Sequence, residues 1–327
     1  MRIRDGRLHP TVRTAAALVG LLLALLLGRC GGPPPEGGAA RILFSDDLRV
    51  WSVRPDGADA REVHGKGSQT PLAWKGGLLF ASYRGPYLLF DPLRPGIYRA
   101  DAAGRRRHRI KDCPSLPLLQ GVGREGLLYL LPEDRATLRL LNPMTGKERT
   151  LALPAPARCA APSPDGGRCA VVLEPRFRTV VLGNQAWFTE GSDVLLVSLV
   201  GGEATSLPLP SLLAPSDGPP KLEDYAASGL AAVAWLSEDV LLFSSSPGLW
   251  SEEVRGPGAP TLLRPRRSGE AVADGLAVDA GRGRLAFTAG GRLFLREIPS
   301  GTERDITPAA LVGGAHHPAW MEAAGGK

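Results

Sequence analysis

Residues His316-His317-Pro318-Ala319-Trp320-Met321, close to the C-terminus, read as the first strand of a repeat unit with no unit after it. They match Pro71-Leu72-Ala73-Trp74, where a strand of the same character opens a unit. At the other end, residues 41–64 read as the later strands of a unit that lacks its first strand. Pairing the last strand with these early ones completes one unit from both ends of the chain. It also closes a ring and removes two exposed sheet edges.

Between those ends one pattern recurs: an apolar strand, a turn, then a Gly ahead of a strand of alternating polarity. It reads VRPDGADAREVH at Gly57, ADAAGRRRHRI at Gly104, NPMTGKERTLAL at Gly146, LVGGEATSLPL at Gly202, RGPGAPTLLRP at Gly258 and IPSGTERDITP at Gly301. The intervals are 47, 42, 56, 56 and 43 residues. Each Gly falls where a tight turn wants positive φ, which Gly adopts at little cost. A second hairpin precedes it in most units, as in PLAWKGGLLFAS from Pro71, AAPSPDGGRCAVVL from Ala160, AAVAWLSEDVLLFSS from Ala231 and GLAVDAGRGRLAFTA from Gly275. Two hairpins make four strands, and units of this length suit a propeller blade. With 41 Gly and 30 Pro, the composition favours many short strands over long helices. The expected fold is all-β: a six-bladed β-propeller of four-stranded antiparallel blades over residues 41–327, its ring closed by the C-terminal strand.

One unit carries a family signature. Ala161-Pro162-Ser163-Pro164-Asp165-Gly166-Gly167, ahead of Cys169-Ala170-Val171-Val172-Leu173, resembles the P-x-x-S-P-D-G-x-x-I-A-F strand of TolB-like (WD-like) propeller repeats. Arg54-Pro55-Asp56-Gly57 and Pro318-Ala319-Trp320 fit the same scheme. The resemblance implies a six-bladed periplasmic propeller that binds other envelope proteins.

Residues 1–29 belong to targeting. Arg2, Arg4, Arg7 and Arg13 precede the apolar run AAALVGLLLALLLG, residues 15–28. That run is shorter than the roughly 20 residues of a spanning helix and suits a secretory segment, with everything after it exported. Leu27-Gly28-Arg29-Cys30 resembles the lipobox of bacterial lipoproteins, although Arg29 stands where that pattern has a small residue. Three endings therefore stay open: a lipidated Cys30, an uncleaved anchor, or ordinary cleavage. Residues 30–40, with GGPPPEGG at their centre, read as a tether. The net charge of +6 falls to about +2 once the charges of residues 1–29 are set aside. The basic balance thus reports targeting, and no nucleic-acid partner is expected.

Three long insertions, at residues 82–96, 174–192 and 211–225, fall on the propeller face that also carries the blade-to-blade connections. Long loops on a rigid scaffold carry function more often than decoration. They hold Arg84, Tyr87, Arg94, Arg176, Phe177, Arg178, Trp187 and Tyr225, an Arg-and-aromatic mixture typical of binding hot spots. These are the candidate contacts with an envelope protein, for a monomeric propeller tethered to the membrane. A ligand- or glycan-binding sensor using the central channel is the alternative, and a channel hydrolase or lyase the third. Asp279, His317 and Glu322 are the inner-strand groups such an enzyme would use, and they form no recognisable catalytic set. Neither a nucleophile elbow nor a metal-ligand spacing occurs, so no cofactor, metal or catalytic residue is assigned. The run Arg105-Arg106-Arg107-His108-Arg109 reads as protection of an outer edge. Cys159 and Cys169 flank the Pro164-Asp165-Gly166 turn and are a candidate disulfide.

Overall fold

The computed structural model describes residues 40–46, 49–65, 67–82, 95–174, 176–182, 185–191, 193–207, 230–245, 248–255, 260–311 and 313–321. Residues 1–39, which carry the targeting segment, Cys30 and nearly all of the tether, lie outside them, as do Arg84, Tyr87, Arg94, Tyr225, Gly258 and Glu322. Among the described residues no helix is long and apolar enough to cross a membrane.

Six four-stranded antiparallel sheets form the ring. Blade 1 joins the closing strand His316–Met321 to Arg41–Ser45, Val50–Val53 and Arg61–His64. The pairing runs Arg41 to Met321, Ile42 to Trp320 and Ser45 to His316, so the two chain ends complete one blade as expected. Blades 2 and 3 span residues 68–112 and 118–152. Blade 4 spans residues 157–207, blade 5 residues 232–265 and blade 6 residues 273–305. The innermost strands touch one another in sequence around the ring, the closing strand lying between those of blades 6 and 2.

The core is six apolar layers, one between each pair of neighbouring blades. Leu43 of blade 1 packs with Phe80 and Tyr98 of blade 2, whereas Ile42 and Phe44 pack with Leu293 and Leu295 of blade 6. Both faces of a blade are buried, so second strands such as Gly77–Ser82 (GLLFAS) and Gly126–Leu131 (GLLYLL) are continuous apolar runs. Alternation appears only where a strand faces water. The repeated turn is also as expected: Gly57, Gly104, Gly146, Gly202 and Gly301 have φ of 84°, 73°, 71°, 80° and 70°. Tryptophans of the repeated Ala-Trp pair tie blades together. Trp235 Nε1 donates to Ala161 O at 2.9 Å and Trp320 Nε1 to Ala277 O at 3.0 Å, each reaching the preceding blade.

The Cys159–Cys169 disulfide does not form: both are free thiols, as is Cys113. Cys159 lies opposite Val172 and Cys169 opposite Pro162. The register between those two pairs is regular, so Cys159, three positions from Pro162, points to the face opposite Cys169. Cys169 points into the layer between blades 3 and 4, while Cys159 packs against the layer between blades 4 and 5. The sheet itself separates the two sulfurs.

Candidate functional site at the channel mouth

A four-stranded meander fixes which loops share a face. Each inner strand starts where the chain arrives from the preceding blade, so blade-to-blade connections and second-to-third-strand loops lie together. This is the insertion face. The turns from first to second and from third to fourth strand lie on the other, the hairpin face. Of the three insertions, residues 83–94 and 211–225 lie outside the described residues, and the second, at residues 174–192, joins two strands of its blade on this face. Within the second, Arg176–Leu182 and Gln185–Gly191 form a two-stranded hairpin of their own. Its register sets Arg176 opposite Gly191, Phe177 opposite Glu190, Arg178 opposite Thr189 and Val180 opposite Trp187.

The same face holds the mouth of the central channel, a cavity of about 290 Å³ lined by the beginnings of all six inner strands. Its walls come from a device repeated round the ring. In five inner strands one extra residue interrupts the pairing with the second strand: Thr70-Pro71, Gln120, Arg158, Asp274 and His317-Pro318. Bulges of this kind re-aim side chains and gather at barrel rims and active sites. Every one of these residues lines the cavity. Blade 5 alone pairs regularly, from Ala232 opposite Ser244 to Trp235 opposite Leu241.

The bulges store strain. Thr70 and His317 have φ of 46° and 51°, in the left-handed region that costs a branched or bulky residue roughly 1–2 kcal/mol. Two other bulges are followed by Gly. A Cβ at Gly121 would lie 2.5 Å from the Pro162 ring, and one at Gly275 would lie 2.6 Å from the Pro318 ring. Neighbouring blades therefore meet at the mouth with a Gly of one against a proline ring of the next, a fit that any side chain would block.

The polar groups divide into engaged and available. Gln120 is engaged: Oε1 accepts from Ala160 N of the next blade at 2.7 Å, and Nε2 donates to Leu118 O. Asp274 accepts from Thr288 Oγ1 at 2.6 Å and faces His316 Nδ1 at 3.4 Å. Burial pushes its carboxyl up, yet the hydrogen bonds from His316 and Thr288 prevail and hold it below the ordinary carboxylate value. Arg158 is exposed in the mouth and has no ion pair among the described residues. Thr70 is only 2% exposed, and its hydroxyl finds no hydrogen-bond partner among the described residues.

His317 is at the mouth, as a channel residue should be, with its ring 6.4 Å from that of His316. Asp279 is at the opposite end of its strand, where it caps the turn at Arg282 and pairs with that guanidinium at 3.0 Å. The two do not meet. The basic run also separates: Arg109 pairs with Asp112, Lys111 pairs with Glu148 of blade 3, and Arg107 stacks on Tyr98 at 3.9 Å. Sequence reading missed Thr70, Arg158 and Asp274. Their signal was a polar residue, in most cases followed by Gly or Pro, near the start of an inner strand.

No family model matches the chain, and no curated protein matches it in sequence. Solved structures do match in shape. The chain is similar to a chain of a nidogen/laminin complex, with 9% identity, a TM-score of 0.63, and coverage of 87% of this chain and 99% of that one. TolB from Acinetobacter baumannii is similar at 13% identity and a TM-score of 0.61, over 98% of this chain and 75% of that one. A chain of hydrazine synthase from Kuenenia stuttgartiensis aligns over 83% of this chain and 79% of its own, at 12% identity and a TM-score of 0.51. At such identities the likeness speaks for architecture alone, and by architecture this chain is a six-bladed β-propeller, similar in shape to TolB.

Proposed function

We propose that the chain is an exported, membrane-tethered binding propeller whose protein partner seats on the insertion face, over the channel mouth. The observation that carries this is convergence: the Arg176–Leu182/Gln185–Gly191 hairpin joins the second and third strands of blade 4 on the face that holds the cavity, where the sequence leads us to expect residues 82–96 and 211–225 as well. Recognition loops on rigid elements recover the ordering cost that a mobile surface would pay on binding. A carboxylate of the partner suits Arg158, which has no ion pair among the described residues.

The test places a photo-crosslinking residue at position 187 in cells, with position 302 on the hairpin face as control. A discrete adduct from 187 and none from 302 is expected. Replacing residues 175–192 with a two-residue turn should abolish binding while the melting curve is retained. Equal adducts from both faces, or none from 187 in folded protein, would reject the reading. The intact mass of membrane-extracted protein tests the tether, since lipidation at Cys30, an uncleaved anchor and a released form differ in mass.

A second reading has its own support, the cavity of about 290 Å³ with Arg158, Asp274 and His317 in its wall. A small sugar or organic acid suits such a lining. Thermal melting against panels of both should then show a rise with a specific ligand, lost in Arg158→Ala.

A further inference from the structure

We infer that the hairpin face of blades 2 and 3 is the surface this propeller turns toward an anionic bilayer. The inference rests on reading residues 1–40 as export segment and tether, and it adds an orientation and a lipid contact to that reading.

Chain direction sets the orientation. Ser45 pairs with His316 at the mouth end and Arg41 with Met321 at the other, so the propeller begins on its hairpin face. The ten residues from Cys30 to Ala39 reach at most about 35 Å when extended. A tether held in the membrane at Cys30 therefore keeps the hairpin face near the lipid and directs the insertion face away from it.

The charges of that face fit such a neighbour. Lys75, Arg105, Arg106, Arg124 and Lys147 are all exposed and all in hairpin-face turns of blades 2 and 3. None has an ion pair among the described residues. The carboxylates beside them are mostly taken. Asp101 caps its own turn through Ala103 N and Arg105 N, and Glu148 is held by Lys111, Arg139 and Tyr129. Glu125 is left as the one acidic group of those turns without such a contact among the described residues. Apolar tips stand within the basic field. Met144, 61% exposed, lies in the outer turn of blade 3, and Val200, 67% exposed, in the corresponding turn of blade 4. Cations around exposed apolar tips are the chemistry of an interfacial lipid contact, in which each cation adds a modest, salt-screened attraction. The tether supplies the effective concentration that makes a weak contact persist.

The experiment uses the full-length chain in nanodiscs of phosphatidylcholine alone or with 30% phosphatidylglycerol. A membrane-impermeant acylating reagent reads Lys75 and Lys147 against Lys111, which pairs with Glu148 on the blade wall. Acylation of Lys75 and Lys147 should slow at least fivefold in the anionic discs. High salt should restore it, and so should the variant Arg105→Glu/Arg106→Glu/Arg124→Glu. Equal rates in both lipids would overturn the inference. Should the chain come away from the discs, the tether reading fails, and flotation of the released protein tests the face alone. Binding to phosphatidylglycerol vesicles but not to phosphatidylcholine would uphold the contact; no flotation with either would overturn it.

Discussion

The two ends of the inner strands are built differently. At the hairpin end, the Ala-Trp pairs run in regular register, and Trp235 and Trp320 each bond to the strand of the blade before. At the mouth, five of the six inner strands are bulged, two of them with residues in the left-handed region, and three carry Arg158, Asp274 and His317. One end places its indole N–H groups on carbonyls of the neighbouring blade. The other leaves a cation available and a hydroxyl unpartnered among the described residues. Regular packing holds the ring together, and departures from regularity present chemistry at its axis.

The largest test of that contrast is Trp235→Ala. Trp235 is 6% exposed, packs between blades 4 and 5, and donates to Ala161 O. Its loss should cost about 3–5 kcal/mol, read as a lower denaturant midpoint. A cost below about 1 kcal/mol would show that the Trp ties are not structural.

Glu252 sharpens the comparison, because it is a misfit away from the mouth. It is 6% exposed in the third strand of blade 5, and its Oε2 has no hydrogen-bond partner among the described residues. Burial pushes its pKa up from 4.5 to about 7. Since the folded chain holds this proton more tightly than the unfolded one, stability should fall as pH rises from about 4.5 to about 7, then level off. Glu252→Gln should remove that slope and gain about 2–3 kcal/mol above pH 7. An unchanged slope in melts at pH 5 and pH 8 would contradict it.

A smaller effect is expected from the strained bulges. Thr70→Gly and His317→Gly relieve left-handed backbone and should each change stability by no more than about 1 kcal/mol, toward a higher melting temperature. Clear destabilisation by either would mean that side-chain packing outweighs strain there. Smallest of all, Arg158→Ala should alter stability by less than about 0.5 kcal/mol, as for an exposed group with no ion pair among the described residues. It should still weaken whatever occupies the mouth, measured as a loss of affinity for the cross-linked partner.

Much of this architecture was legible before any coordinates. Six Gly-marked turns, the PSPDGG unit at Pro162–Gly167 and the orphan strand at 316–321 sufficed for six blades and their closure. Such signals are local: a tight turn needs Gly, and a strand buried on both faces needs an unbroken apolar run. The site was less legible. Insertions could be assigned to a face because topology alone does that. Thr70, Arg158 and Asp274 went unnoticed because a bulge breaks the very alternation by which strand residues are sorted into faces. The expected Cys159–Cys169 bridge failed for a plainer cause: three regular positions separate Cys159 from Pro162, the residue opposite Cys169, so alternation sends the two thiols to opposite faces.

The amino-acid order alone determines the number of blades, their boundaries and the way the ends meet, since each follows from turn chemistry and hydrophobic pattern over a few residues. Tertiary structure decided which side chains from five distant strands converge on one cavity, and which exposed cations share a face with the start of the chain. Those outcomes depend on ring closure, which brings residues tens or hundreds of positions apart to one axis, and no local pattern records that convergence.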